Sequence, residues 1–241
     1  GGGLGCREVS EVNEGGEVGE AGEAGEGREG GEVSEASEGR EGVMDAIRFR
    51  AVYDVARLQA ELAGVVAGAR WIAKPERGKY VGWSSIPLHS QYGAMSDEAV
   101  DGHIPAALAG ECGPTPVLGE CPYVGELLAG FAAARLRVRF MRLAAGGRIG
   151  RHTDRQYGWR LPILRLHLPV VTDENVEFVL AGRRVELRPG ELWYLDTTRE
   201  HEVNNRGVHD RVHLVIDLVN GPGLRAQLGP HSWAVTLPAR G

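Results

Sequence analysis

The chain has 241 residues, a formal net charge of -6 and a hydrophobic fraction of 42%. That length suits one ordinary domain, or one domain with a tail, and that fraction suffices for a single buried core. No run of about 18 apolar residues is present and no basic segment leads into an apolar one, which argues against a membrane helix and a secretion signal.

Residues 1–43 stand apart. Glu recurs at every third position from Glu8 to Glu41, among Gly, Ala, Val and Ser. A Gly-rich segment without aromatics buries too little surface to offset its ordering entropy, and a spacing of three drifts around a helix. The expectation is a disordered, low-complexity tail on a folded domain at 44–241. The tail holds twelve Glu and three Arg, a net of -9, which leaves +3 for the remainder of the chain. The chain opens without Met, so Gly1 is not expected to be a translation start, and Met44 is the expected one. An acidic interaction arm is the other reading of the tail.

From Met44 the pattern is globular. Ile47 to Tyr53 alternates as a strand. Asp54 can cap a helix to about Ala67, with Val55, Leu58, Leu62 and Val65 at helical spacing. Lys74 to Pro122 is rich in Gly and Pro and reads as irregular, the kind of stretch that covers a mouth. Tyr123 to Ala134 reads as a second helix. Strands follow at Leu136–Leu143, Leu161–Val171, Val176–Leu180, Arg183–Leu187, Glu191–Leu195 and Val212–Val219. Turns at Ala145-Gly146-Gly147, Ala181-Gly182 and Pro189-Gly190 separate several of them. The expected fold is mainly β with flanking helices, a sandwich or jelly roll. Cys6, Cys112 and Cys121 are too few and too irregular for a disulfide scaffold or a zinc motif, and they fit a reducing compartment. The folded part is only mildly basic and has no Arg/Lys stripe with interleaved aromatics. Neither nucleic acid nor membrane is therefore an expected partner, and the expected location is cytoplasmic.

Three side chains suggest a metal centre: His152, Asp154 and His201. Residues i and i+2 on an extended segment point the same way, so His152 and Asp154 can face one point. His201 would join from a later strand. Two imidazoles and one carboxylate on one face of an octahedral ion leave the opposite face open, as in non-haem Fe(II) oxygenases. A His-x-Asp pair is weak by itself, but this one follows a Gly-rich turn at a strand end. Arg211 lies ten residues beyond His201 at the head of an apolar strand. Its planar fork suits the distal carboxylate of 2-oxoglutarate. Arg165 and His167 share one strand face; they either line the same pocket or sit on an exposed polar face. Asp196 and Asn204 are candidates to orient the His ligands.

The runs Phe140-Met-Arg-Leu143, His152-Thr-Asp154, Arg165-Leu-His167-Leu-Pro169, Gly190-Glu-Leu-Trp193-Tyr-Leu-Asp196, His201-Glu-Val-Asn204 and Arg211-Val-His213-Leu-Val-Ile-Asp217 follow in one order. Together, over about residues 135–219, they resemble the aspartyl/asparaginyl β-hydroxylase family. Trp83-Ser-Ser-Ile-Pro-Leu88 resembles its N-terminal half more loosely. The resemblance implies a double-stranded β-helix (cupin-like) using Fe(II), 2-oxoglutarate and O2. It implies His152, Asp154 and His201 as catalytic iron ligands, with Arg211, Arg165 and His167 contacting the cosubstrate. Some animal members have Gly where Asp154 stands and Ser where Met141 stands.

The implied reaction hydroxylates an unactivated carbon and releases succinate and CO2. The substrate would be an amino acid, or an Asp or Asn residue in a peptide or protein. Arg151, Arg155, Tyr157, Trp159 and Arg160, with Trp83, Ser84 and Ser85 across the mouth, are candidates to hold it. The compact size favours a free amino acid or a short peptide. The alternatives are a non-oxygenase metal-dependent cupin, such as an isomerase or a small-molecule-binding jelly roll, and a binding module with a degenerate centre. The cupin would need no cosubstrate arginine, and the intact triad weighs against the module.

Overall fold

The structure is a computed structural model that describes residues 45–68, 71–74, 78–96, 103–229 and 232–235. The Gly/Glu-rich segment 1–43 and Met44 lie outside the described residues. Among the described residues, twelve strands form one sheet that curls on itself into a jelly roll, the double-stranded β-helix, with helices on its outside. Its central order is β12 (Ser232–Val235), β1 (Ala46–Val52), β9 (Glu191–Leu195), β6 (Ile163–Val171), β11 (Arg211–Val219), β5 (Arg135–His152), β10 (His201–Asn205), β7 (Val176–Leu180) and β8 (Arg183–Val185). A branch adds β3 (Tyr80–Gln91) to β5, flanked by β2 (Ile72–Ala73) and β4 (Cys112–Pro114). Every strand-to-strand pairing among the described residues is antiparallel.

Alternation along the central strands sorts the side chains onto two faces. Phe140 and Val138 of β5, Leu164, Leu166, Leu168 and Val170 of β6, and Val212, Leu214, Ile216 and Leu218 of β11 form the outer core. Helix α1 (Val55–Gly68) packs its Leu58, Leu62 and Val65 into that core. Asp54 caps it as expected: Oδ1 accepts from the Arg57 N–H at 3.1 Å. Glu61 of α1 in turn accepts the Tyr123 and Val124 N–H groups at the start of α2 (Pro122–Ala129), which ties the two helices together. A short α3 (Pro222–Leu228) follows β11. The inner face of the same strands carries Arg137, Arg139, Arg165, His167, Arg211, His213 and Asp217, all buried.

Several expected boundaries move. The stretch read as irregular contains β3, twelve residues antiparallel to β5. Alternation does not reveal it, because Trp83 to Ser90 is buried throughout, and Pro87 sits at a register shift where the ladder tolerates a missing N–H. The second helix stops at Ala129 rather than Ala134; Arg135 Nη2 donates to the Leu128 carbonyl at 2.5 Å as the chain turns into β5. The strand expected at Leu161 begins at Ile163, and the one expected to reach Leu187 ends at Val185. The Ala145-Gly146-Gly147 segment bends β5 without ending it. Gly146 has φ +71°, and a Cβ on Gly147 would lie 2.8 Å from the Ala144 carbonyl oxygen and 2.9 Å from that of Val81. One continuous strand thus carries Arg137 and Arg139 in its first half and His152 at its tip.

Candidate active site

β10 lies beside the tip of β5, with His201 and His152 directly opposite in the ladder. Their ring centroids are 4.1 Å apart. The strand ends at His152, so Asp154 is not brought round by strand alternation alone. Its backbone N–H donates to the Thr197 carbonyl at 2.7 Å, and its Oδ2 accepts from Arg165 Nη1 at 2.9 Å. The ligand atoms of His152, Asp154 and His201 lie within 4.8 Å of one another.

Each imidazole is oriented by the backbone. His152 Nδ1 faces the Gly150 carbonyl at 2.8 Å, and His201 Nδ1 faces the Arg199 carbonyl at 3.0 Å. A carbonyl only accepts, so each Nδ1 carries the proton and each Nε2 keeps its lone pair for a metal. The candidate orienting residues do not serve: Asp196 Oδ1 instead accepts from the Thr198 hydroxyl, and Asn204 sits in the β10 ladder. Burial lowers the basicity of both imidazoles, and in His201 the neighbouring His152 adds to it. Two neutral imidazole nitrogens and one carboxylate suit a borderline divalent cation such as Fe(II). The donors present therefore fit the implied metal.

A cavity of about 680 Å³, open solvent at its mouth included, runs inward from this cluster. Its lining includes Arg165, His167, Met141 and Arg211 from the sequence reading, and Phe178, Arg137, Arg139, Tyr80 and Gln156 besides. Arg211 is buried, and its Nη2 faces His213 Nδ1 at 2.8 Å. Its Nε has no hydrogen-bond acceptor, and among the described residues no carboxylate pairs with it. Burial pushes this guanidinium down to about 9, with no opposing charge to hold it up. His167 has still fewer partners, since neither ring nitrogen is hydrogen-bonded. Burial, then the Arg165 and Arg211 charges, drive it well below its ordinary basicity, so it is neutral. Buried polar groups without partners are uncommon in proteins, and here they converge on one cavity.

Arg165 is differently placed. Its Nε and Nη2 bond both oxygens of Asp217 at 2.7 and 2.9 Å, while Nη1 holds Asp154. Its guanidinium lies 3.4 Å from the centroid of the Tyr157 ring. Burial alone would weaken this base, but Asp217, Tyr157 and Asp154 outweigh it and raise it. Of the mouth candidates, Tyr157 and Trp83 line the cavity. Arg151 pairs with Glu202 at 3.5 Å, and Trp159 stacks on Phe49, away from the cavity. Ser84 and Ser85 are buried in β3, with Ser85 opposite Met141. Arg137, Arg139 and Asp217 went unremarked as site residues in the sequence. Their signal is the Arg-x-Arg alternation of β5 in register with Arg165 and Asp217. Cys112 and Cys121 are free thiols, and burial pushes Cys121 up to about 12.

Fold and donor set describe a jelly roll whose cavity gathers three potential metal ligands, His152, Asp154 and His201. The family model for aspartyl/asparaginyl beta-hydroxylase matches residues 55–221, and the chain belongs to that family. An L-proline cis-4-hydroxylase of Rhizobium meliloti (strain 1021) is 27% identical over 137 residues, 56% of this chain and 47% of the relative. The chain thus spans about half the length of that curated relative. Among solved structures, HygX from Streptomyces hygroscopicus with nickel, 2-oxoglutarate and hygromycin B bound aligns with a TM-score of 0.47 at 10% identity, covering 73% of this chain and 83% of that one. A prolyl hydroxylase from Trichoplax adhaerens, in complex with a hypoxia-inducible-factor peptide, aligns with a TM-score of 0.44 at 10% identity, covering 74% and 84%. No helix among the described residues is long and apolar enough to cross a membrane.

Proposed function

We propose that this protein is an Fe(II)- and 2-oxoglutarate-dependent hydroxylase of an amino acid, or of an Asp or Asn residue in a peptide, that consumes O2 and releases succinate and CO2. The observation that carries the reading is one cavity lined both by the His152, Asp154 and His201 donors and by the buried Arg211, which no carboxylate among the described residues pairs with. A non-oxygenase cupin needs the first and has no use for the second.

His152 Nε2, His201 Nε2 and one Asp154 oxygen would hold the iron, which when bound would supply the activation of O2 with 2-oxoglutarate. Arg165 holds the other Asp154 oxygen, so the carboxylate offers a single donor in a fixed direction. Arg211 takes the distal carboxylate of 2-oxoglutarate in a charge-assisted pair and removes its own desolvation penalty by doing so. His213 keeps the Arg211 fork aimed. His167, neutral and unpartnered, is placed to donate to an oxygen of the same ligand. Phe178, stacked on His201 at 6.1 Å, shields this end from water. The L-proline hydroxylase relative supports an amino-acid substrate.

The test is direct. Purified protein with ferrous iron, a reductant and O2 is expected to turn 2-oxoglutarate into succinate, slowly without substrate and faster with it. Complete absence of succinate over a broad panel of amino acids and peptides would remove the reading. His152→Ala is expected to abolish metal binding in equilibrium dialysis. Arg211→Ala is expected to weaken 2-oxoglutarate by roughly 10–100-fold, the worth of a charged hydrogen bond, with metal affinity unchanged. Equal affinity for 2-oxoglutarate before and after that change would move the role to another cation.

A further inference from the structure

The cavity holds a second buried cation that the cosubstrate does not explain. Arg139 projects from β5 into it and is 3% exposed. Its Nε and Nη1 have no hydrogen-bond partner. The nearest acid is Asp217, whose Oδ2 lies 3.7 Å from Nη1, and both Asp217 oxygens already accept from Arg165. Arg137, two residues back on the same strand face, lines the cavity as well.

The ladder separates this pair from Arg211. Arg137 stands opposite Asp217, and Asp217 opposite Arg165; Arg139 stands opposite Val215, and Val215 opposite His167. Arg211 stands opposite Leu143, four residues further along β5, or roughly 13 Å of strand rise. Burial, then the neighbouring Arg137, weakens Arg139 to about 9, and Asp217 only partly offsets them. An anion paired with the Arg211 fork therefore leaves the Nε and Nη1 of Arg139 still in need of acceptors.

We propose, on the basis of the hydroxylase reading above, that Arg139 with Arg137 beside it binds the carboxylate of the substrate, and that the substrate is a small free acid of amino-acid size. A guanidinium fork matches a carboxylate bidentately, and Asp217, the acid beside it, already gives both oxygens to Arg165. The apolar and aromatic surfaces of Tyr157, Trp83 and Tyr80 in the same lining suit the body of such a molecule. Space supports a small substrate, because the enclosed part of the cavity is only about 90 Å³ and the cosubstrate occupies the same cavity.

The experiment measures binding rather than turnover. Protein loaded with Zn(II) in place of iron, and with 2-oxoglutarate, is titrated calorimetrically with the common L-α-amino acids and with the carboxamide of each. At least one acid is expected to bind, and its amide at least about 10-fold more weakly. Arg139→Gln is expected to weaken the acid by on the order of 10–100-fold, while the amide and 2-oxoglutarate change by less than about 3-fold. Arg139→Lys, which keeps the charge, is expected to recover part of the loss. The inference is overturned if no acid binds, as for an enzyme that accepts only polypeptides, if acid and amide bind alike, or if Arg139→Gln weakens both equally. Should that variant melt far below the unaltered protein, the acid–amide comparison on the unaltered protein decides. Failure of 2-oxoglutarate itself to bind would instead sink the hydroxylase reading, and the same titration reports it.

Discussion

Asp217 is the hinge of the charged lumen. It accepts two bonds from Arg165 and stands 3.7 Å from Arg139. Burial alone would raise its carboxyl; Arg165, then Arg139 and Arg137, hold it far below the usual carboxylate range. Removing one partner of a buried pair leaves the other charge stranded. Asp217→Ala is accordingly expected to cost about 3–5 kcal/mol in urea unfolding, and to loosen Asp154 through Arg165. The stabilising effect of Asp217 is present above the unfolded carboxyl value and is lost only as pH falls below about 4. The buried histidines act earlier. Burial, then Arg165 in one case and Arg211 in the other, push His167 and His213 well below 6.5. Each takes up its proton only on unfolding, so stability is full above about 6.5 and falls as pH drops below it. Together they predict a loss of about 2–3 kcal/mol between about pH 7.5 and 5.5 in the metal-free protein. Urea melts across that range check it; a flat profile would mean that these imidazoles are not buried neutral.

At the scale of elements, the bend in β5 decides whether the two halves of the site meet. The first half pairs with β11 and carries Arg137 and Arg139; the second half pairs with β10 and carries His152 to His201. Gly147 has no room for a side chain, with two carbonyl oxygens and a Leu143 methyl within 2.9 Å of an added Cβ. Gly147→Val is expected to cost about 1–3 kcal/mol by overpacking. Because the backbone shift is inherited by His152, metal affinity is expected to fall with it, as equilibrium dialysis would show. These elements also mark where sequence patterns stop being informative. Helix α1 was legible because one face meets the core and the other meets water, so Leu58, Leu62 and Val65 recur at the right spacing. Strand β3 was not, because Trp83 to Ser90 is covered on both faces and period-two contrast vanishes. The Gly146-Gly147 pair reads as a turn in any local window. Only the partners on either side, β3 and β11 or β10, keep it in the sheet.

At the scale of the molecule, the curled sheet has helices against its apolar outside and a charged lumen inside. Asp45, just ahead of β1, bonds Arg199 at 2.5 Å and also Arg183. It thereby holds the segment whose Arg199 carbonyl orients His201. The folded unit therefore needs the chain from Asp45 onward. A protein starting at Met44 is expected to keep the melting temperature and metal affinity of the full chain, measured by calorimetry and dialysis. A melting temperature lowered by several degrees would show that residues 1–43 contribute to the fold.

By itself, the sequence determined the mainly β character, the first helix, the metal-ligand set as candidates and the family. These follow from residue types and short-range spacing, which the chain carries whatever its tertiary path. Tertiary structure alone decided which charges are buried and what each one faces. Arg137, Arg139, Arg165 and Arg211 are the same residue type on three adjacent strands. Arg165 bonds Asp154 and Asp217, Arg211 bonds His213, and Arg139 keeps its Nε and Nη1 without a hydrogen bond, because strand register and curl set their neighbours. Register is a relation between distant segments, and no local pattern of residues encodes it.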